Sequence, residues 1–204
     1  TQGNVRVTAS GALDNSAGTL QAKQAVELAS SGLNNQSGQV SAGTLKVDTG
    51  GQALFNQDGL LLGDSVRIDS GALNNQAGLI QSSGLLTVDT HGQALYNADS
   101  GSSNGLLGQA GINLRTGLLS NAGGFIGSQG DIDITASQVD NVLAGNLTSE
   151  KNLRLSAGGL NNQNGEIQAL GDAVLDIGSG RLDNAAGLLR AGGSLQVNAG
   201  GIDN

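Results

Sequence analysis

Residues 70–80 read SGALNNQAGLI, and the phrase returns as SSGLNNQSGQV at 30–40 and AGGLNNQNGEI at 157–167. Looser copies stand at 10–20 (SGALDNSAGTL) and 179–189 (SGRLDNAAGLL). Anchoring on the second Asn of the phrase picks out Asn15, Asn35, Asn56, Asn75, Asn97, Asn121, Asn141, Asn162, Asn184 and Asn204. The intervals run from 19 to 24 residues with a mean of 21. Self-similarity at this period marks a solenoid, a stack of short units that bury their apolar faces against one another.

The pattern inside each unit narrows the choice. An aliphatic residue stands two positions before every anchor, such as Leu33, Leu73, Val139 and Leu160. An offset of two places it on the same strand face as the Asn. A second pair precedes most anchors by seven and nine residues, among them Val66 with Ile68, Ile132 with Ile134, and Leu175 with Ile177. A third aliphatic follows the turn glycine by two, as in Val40, Ile80, Leu107 and Ile126. Each unit thus holds three short segments of period two, separated by Gly, Ser or Asn. No segment keeps a helical period between caps, and none offers the long convex side of a leucine-rich repeat. The expected fold is all-β: a right-handed parallel β-helix of about ten coils of ~21 residues, three short strands per coil, spanning residues 1–204 as one segment. At ~4.8 Å per coil the rod is roughly 50 Å long.

Composition agrees with narrow coils. Of 204 residues 35 are glycine, and proline, cysteine, methionine and tryptophan are absent. Glycine is expected at the corners to supply positive φ. Proline would break the ladder of a central strand. Phe55, Tyr96 and Phe125 are the three aromatics, too few to anchor a globular core. Leu, Ile, Val and Phe still make up about a quarter of the chain, above the level at which disorder is expected. A net charge of −8 argues against nucleic acid as a partner. Without cysteine there is no disulfide framework or thiolate metal site, and with one histidine no histidine pair. No run is long enough to span a membrane, and the first residues have no signal-peptide pattern.

The asparagines of the column admit two structural readings. Pointing inward, each amide bonds the next one a rung away. Alternatively, each caps its own turn through the backbone.

Outward positions supply the functional candidates. The longer corners TGGQALFN and THGQALYN place Phe55 and Tyr96 outward two rungs apart, a contact patch for a receptor or glycan or simply a cover for the corner below. ADSGSSN at 98–104 reads as a loop bulging from one corner. An outward column between the paired aliphatics runs Glu27, Lys46, Arg67, Thr87, Asn113, Asp133, Arg154, Asp176 and Gln196, with opposite charges pairing across rungs. Beside it stand Asp48, Asp69 and Asp89 on consecutive rungs, where calcium or the neighbouring Lys46 and Arg67 would relieve their repulsion. His91 matches Gly50 of the sister corner and reads as a solvated turn residue. Sequons occur at Asn35 and Asn146, the former on an inward position. No catalytic, metal-ligating or cofactor-binding set emerges: no triad, no phosphate loop, and no cleft of carboxylates for the polysaccharide-cleaving chemistry found on some β-helices.

The recurrent GLNNQxGxI and ALDNxAGxL phrases, each followed by a strand such as VRIDSGAL or LRLSAGGL, resemble the haemagglutinin repeats of filamentous haemagglutinin-type exoproteins, from Val5 to Asn204. The resemblance implies a β-helical shaft of an adhesin or contact-dependent growth inhibition effector. It implies export from a Gram-negative bacterium through an outer-membrane two-partner secretion transporter, by a domain this chain lacks. It also implies display at the cell surface, toward a host or bacterial receptor, and no enzymatic role. The expected identity is a slice of shaft that begins and ends mid-coil, with open end rungs able to associate end to end.

Overall fold

The computed structural model describes residues 1–204. The chain contains strands and turns and no helix. Period-two segments form strands because alternate side chains point to opposite faces, and each coil has an apolar interior to fill. Three facets recur. The first is built of strands such as Leu79–Ser82, Phe125–Ser128 and Glu166–Ala169. The second contains Ala25–Ala29, Leu85–Asp89 and Leu153–Ala157. The third contains two- or three-residue strands such as Leu33–Asn34, Leu73–Asn74 and Arg181–Asp183. Some coils fuse neighbouring facets: Gln39–Asp48 and Leu60–Asp69 join the first to the second, and Gly111–Ser120 and Asp131–Asp140 join the second to the third.

Every pairing is parallel and in register with the next coil. Val26 pairs with Leu45, Leu45 with Val66, and Val66 with Leu86. On the third facet Leu33, Leu54, Leu73, Leu95 and Leu119 follow one another. The chain is therefore a parallel β-solenoid, with ten asparagine anchors delimiting nine turns of about 21 residues.

The interior is one continuous cluster of 36 buried residues. A single coil contributes Ile80, Leu86, Val88 and Leu95, all at most 1% exposed. Burial of each such side chain is worth about 1.5–3 kcal/mol, and each packs on its equivalents above and below. End-coil residues Val5, Val7, Leu13 and Leu20 are only partly buried, because they have a neighbour on one side alone.

Register corrects three sequence expectations. Leu106, not Leu107, continues the inward column between Ile80 and Ile126. Asn104 occupies the level of the turn glycine, so Gly105 takes the outward position matching Leu79 and the strand starts one residue earlier than counting from a glycine suggests. In the next-to-last coil the inward pair is Ala173 and Leu175, opposite Leu153 and Leu155, and Ile177 fills the following corner. Val174 accordingly stands opposite Arg154 where Asp176 was expected.

Candidate functional site

The ten asparagines of the repeat lie at one corner, where the third facet turns into the next coil. From Asn35 to Asn162 they are fully buried. Each donates its Nδ2 to the Oδ1 of the next: Asn15 to Asn35 at 2.7 Å, Asn75 to Asn97 at 2.8 Å, and onward to Asn204 at 2.6 Å. All nine bonds point the same way along the rod. The same amides also reach the backbone. Asn35 Nδ2 lies 3.2 Å from the carbonyl oxygen of Gly38 in its own turn and 3.3 Å from that of Leu60 in the next coil. Inward stacking and turn capping, alternatives at the level of sequence, are thus both present in one side chain. A buried amide left unpaired would cost about 1–3 kcal/mol.

The turn after each asparagine differs from expectation in its chemistry. Positive φ falls on the residue before the glycine, and that residue is usually not glycine: Ala17 (51°), Ser37 (52°), Asp58 (54°), Ala77 (53°) and Ala186 (54°). The following glycine serves a different need. A Cβ added at Gly38 would lie 2.7 Å from Asn35 Oδ1 and closer still to the Asn15 carbonyl oxygen. The glycine column exists so that backbone can approach the amide ladder. Positive-φ glycines of the expected kind occur at the second-to-third corner, as at Gly50 and Gly92.

The 98–104 segment does bulge, with Gly101, Ser102 and Ser103 exposed. Ser100 Oγ accepts the Phe125 N–H at 2.8 Å, and Asn104 Nδ2 donates to the Ala77 carbonyl at 3.0 Å. These side-chain bonds bring the chain back into register after the insertion.

Phe55 and Tyr96 are 43% and 40% exposed. Both stand opposite Asn74 from either side, two rungs apart.

The Asp48, Asp69 and Asp89 carboxylates do stack on consecutive rungs, but no group of three or more His, Cys, Asp or Glu is arranged to hold a metal ion. The repulsion is relieved by cations and backbone donors. Arg67 reaches Asp69 at 2.9 Å and His91 Nε2 reaches it at 2.5 Å, while the His91 and Gly50 backbone N–H groups donate to Asp89 and Asp48. Lys46 makes no ion pair, and along the outward column only Arg6 and Glu27 bridge, at 3.5 Å. His91, at φ 52°, is therefore more than a solvated turn residue: it ties two coils together. Partial burial pushes the Asp69 carboxyl up, but hydrogen bonds from His91 and Arg67 and their positive charge outweigh it and hold it below the usual range. Its stabilising contribution is complete above the unfolded-state value and is lost as pH falls through the lowered folded value. Replacing His91 by Ala is expected to raise the Asp69 pKa, read by carboxyl NMR titration. Because the pair is at the surface, the loss should be about 0.5–1 kcal/mol near pH 5.5 by urea unfolding.

Two columns of small hydroxyls escaped the sequence reading. Ser30, Thr49, Ser70 and Thr90 are buried at the second-to-third corner, and Thr49 and Thr90 donate to the Gln52 and Gln93 carbonyls. Ser82, Ser128 and Ser149 do the same at the first-to-second corner. The signal was Ser or Thr recurring two residues after the paired aliphatics in the first column, and Ser two residues after the third aliphatic in the second.

The haemagglutinin repeat family model matches residues 1–71, 40–126, 89–178 and 175–204. No curated protein and no solved structure matches the chain significantly. With repeat matches running from end to end over a parallel solenoid of the same period, the chain belongs to the haemagglutinin repeat family.

Proposed function

We propose that the chain is a shaft segment of a large secreted surface exoprotein, holding a distal adhesive or toxic element away from the cell. The haemagglutinin repeat family and the solenoid fold support a structural, adhesin-type shaft and a secreted or cell-surface bacterial location. The observation that carries the reading is the unbroken amide ladder beside a continuous aliphatic core. Both are invariant under translation by one coil, so length is gained by repetition and each coil stabilises its neighbours. The asparagine ladder acts here as a register clamp: a coil that slips by one residue turns its amide out of line. Export through an outer-membrane two-partner secretion transporter of a Gram-negative bacterium, by way of a further domain, completes this reading. An effector of contact-dependent growth inhibition and an adhesin would use the same shaft.

Excising residues 142–162, one anchor interval, is expected to leave circular dichroism and cooperative unfolding intact and to shorten the rod by about 4.8 Å in solution scattering. Excising about half that interval should abolish the fold, since every strand that follows would meet the wrong facet of the coil before it and its asparagine would leave the ladder. A chain that tolerates both equally is not a register-locked shaft.

A second reading rests on the exposure of Phe55 and Tyr96. Here the two rings form a receptor contact. Phe55→Ser with Tyr96→Ser in the full exoprotein would lower cell attachment if they do, and leave it unchanged for a pure spacer. Open end rungs, with Leu188, Leu195 and Ile202 exposed, favour end-to-end association of this chain, measurable by sedimentation.

A further inference from the structure

Charge is unevenly distributed over the three facets. The outward positions of the second facet carry Arg6, Glu27, Lys46, Arg67 and their neighbours. The outward positions of the first facet carry no charged residue across its first seven rungs, from Thr19 to Thr148. In a chain of net charge −8, this is a neutral strip. Leu60, Leu62, Leu79, Leu107 and Phe125 lie on it, half-buried and outward.

Two hollows lie on the strip, one beside Ser41, Leu62 and Asp64 and one over Gly127; the latter, of about 260 Å³, is the one that holds an aromatic ring. Gly127 is the one residue of the central outward column Leu62, Gln81, Leu107, Gly127, Thr148 with no side chain there. The Phe125 ring folds over it: a Cβ at Gly127 would lie 2.6 Å from the ring's Cζ. Gln81, Gln109, Gln129 and Thr148 line the hollow with the ring, and Glu150 is the only charged residue on its rim.

We propose that this strip binds an uncharged pyranose chain, with one sugar stacked on Phe125. An aromatic face is electron-rich and attracts the weakly positive C–H groups of a sugar ring. Amides offer both donors and acceptors to hydroxyls, and a carboxylate accepts from hydroxyls while repelling an anionic glycan. A pyranose unit advances its chain by close to one coil spacing, so successive sugars meet equivalent positions on successive rungs. Area disfavours a second protein. Four rungs of four-residue strands present roughly 250 Å² and the whole facet roughly 560 Å², against the ~800 Å² per partner of a stable interface. The site lies on a different facet from Phe55 and Tyr96 and does not depend on the shaft reading.

The test is saturation-transfer NMR and calorimetry on the 204-residue chain with cellohexaose, against an oligogalacturonate of equal length. Transfer to cellohexaose is expected, with at least tenfold weaker binding of the oligogalacturonate. Phe125→Ala should weaken cellohexaose binding at least tenfold and Gln109→Ala with Gln129→Ala about fivefold, both with unchanged circular dichroism. The double variant keeps the ring over Gly127, so it reports on the site even if Phe125→Ala loosens the strand. Three outcomes overturn the proposal: no transfer at millimolar cellohexaose, binding unaltered in both variants, or a dimer in sedimentation velocity that Phe125→Ala dissociates.

Discussion

Asn75→Asp is expected to destabilise the chain by on the order of 5 kcal/mol near neutral pH, more than Asn75→Ala at about 3 kcal/mol. Asn75 is fully buried, accepts from Asn56 at 2.7 Å and donates to Asn97 at 2.8 Å. Alanine leaves Asn97 Oδ1 without a side-chain donor and opens a small cavity. Aspartate keeps the shape and inverts the polarity. Its carboxylate still accepts from Asn56 but faces Asn97 Oδ1 and the Gly78 and Gly105 carbonyl oxygens, to which Asn75 Nδ2 now donates. Four acceptors would converge with no proton among them.

The pH dependence separates this account from a steric one. Burial raises the pKa of an introduced carboxyl, and the protonated form carries one O–H donor. A group with a raised folded pKa contributes stability below its unfolded value, near 3.9, and loses it as pH rises through the folded value. The aspartate variant should therefore approach the alanine variant, or pass it, as pH falls, in urea unfolding across pH 4 to 8. A gap between the two that does not change with pH would mean that the ladder's uniform bond direction carries no energy.

What the sequence made legible follows from what repeats. The inward aliphatics alternate strictly, so Leu33, Leu73 and Leu160 could be placed by parity alone, and the anchors by their phrase. Parity fails where the chain inserts residues without saying where they leave the coil. The bulge at 98–104 hides which residue after it resumes the strand, so counting from the glycine selects Leu107 where the register has Leu106. Near the end, Val174 and Leu175 within GDAVLDIGSG at 171–180 offer two apolar phases, and only pairing against Leu155 chooses between them. Ser30 and Thr49 were invisible as core because a lone hydroxyl reads as surface until its carbonyl acceptor is seen. The neutral first facet required knowing which residues share a face over seven coils, a property of register rather than of any one repeat.

Gly78→Ala is expected to cost about 3 kcal/mol or more, while Ala77→Gly next to it should be neutral or stabilising by about 0.5 kcal/mol. Glycine's recurrence in the turns after the anchors, Asn97 excepted, suggests a conformational requirement, and the structure moves that requirement one residue upstream. Ala77 holds φ 53°, a region that costs a residue with a Cβ about 1–2 kcal/mol. Removing the Cβ relieves this, against roughly 0.5–1 kcal/mol of added unfolded-state entropy. Gly78 has no such φ. A Cβ there would lie 2.7 Å from Asn75 Oδ1, 3.1 Å from Asn56 Nδ2, and closer to the Asn56 carbonyl oxygen. None of these is the far end of a flexible side chain, because both amides are held by the ladder, so the coil must part at its tightest point. Urea midpoints of the two variants in one background decide the matter. If Ala77→Gly destabilises and Gly78→Ala does not, the glycine column serves the backbone's conformation and not the approach of one coil to the next.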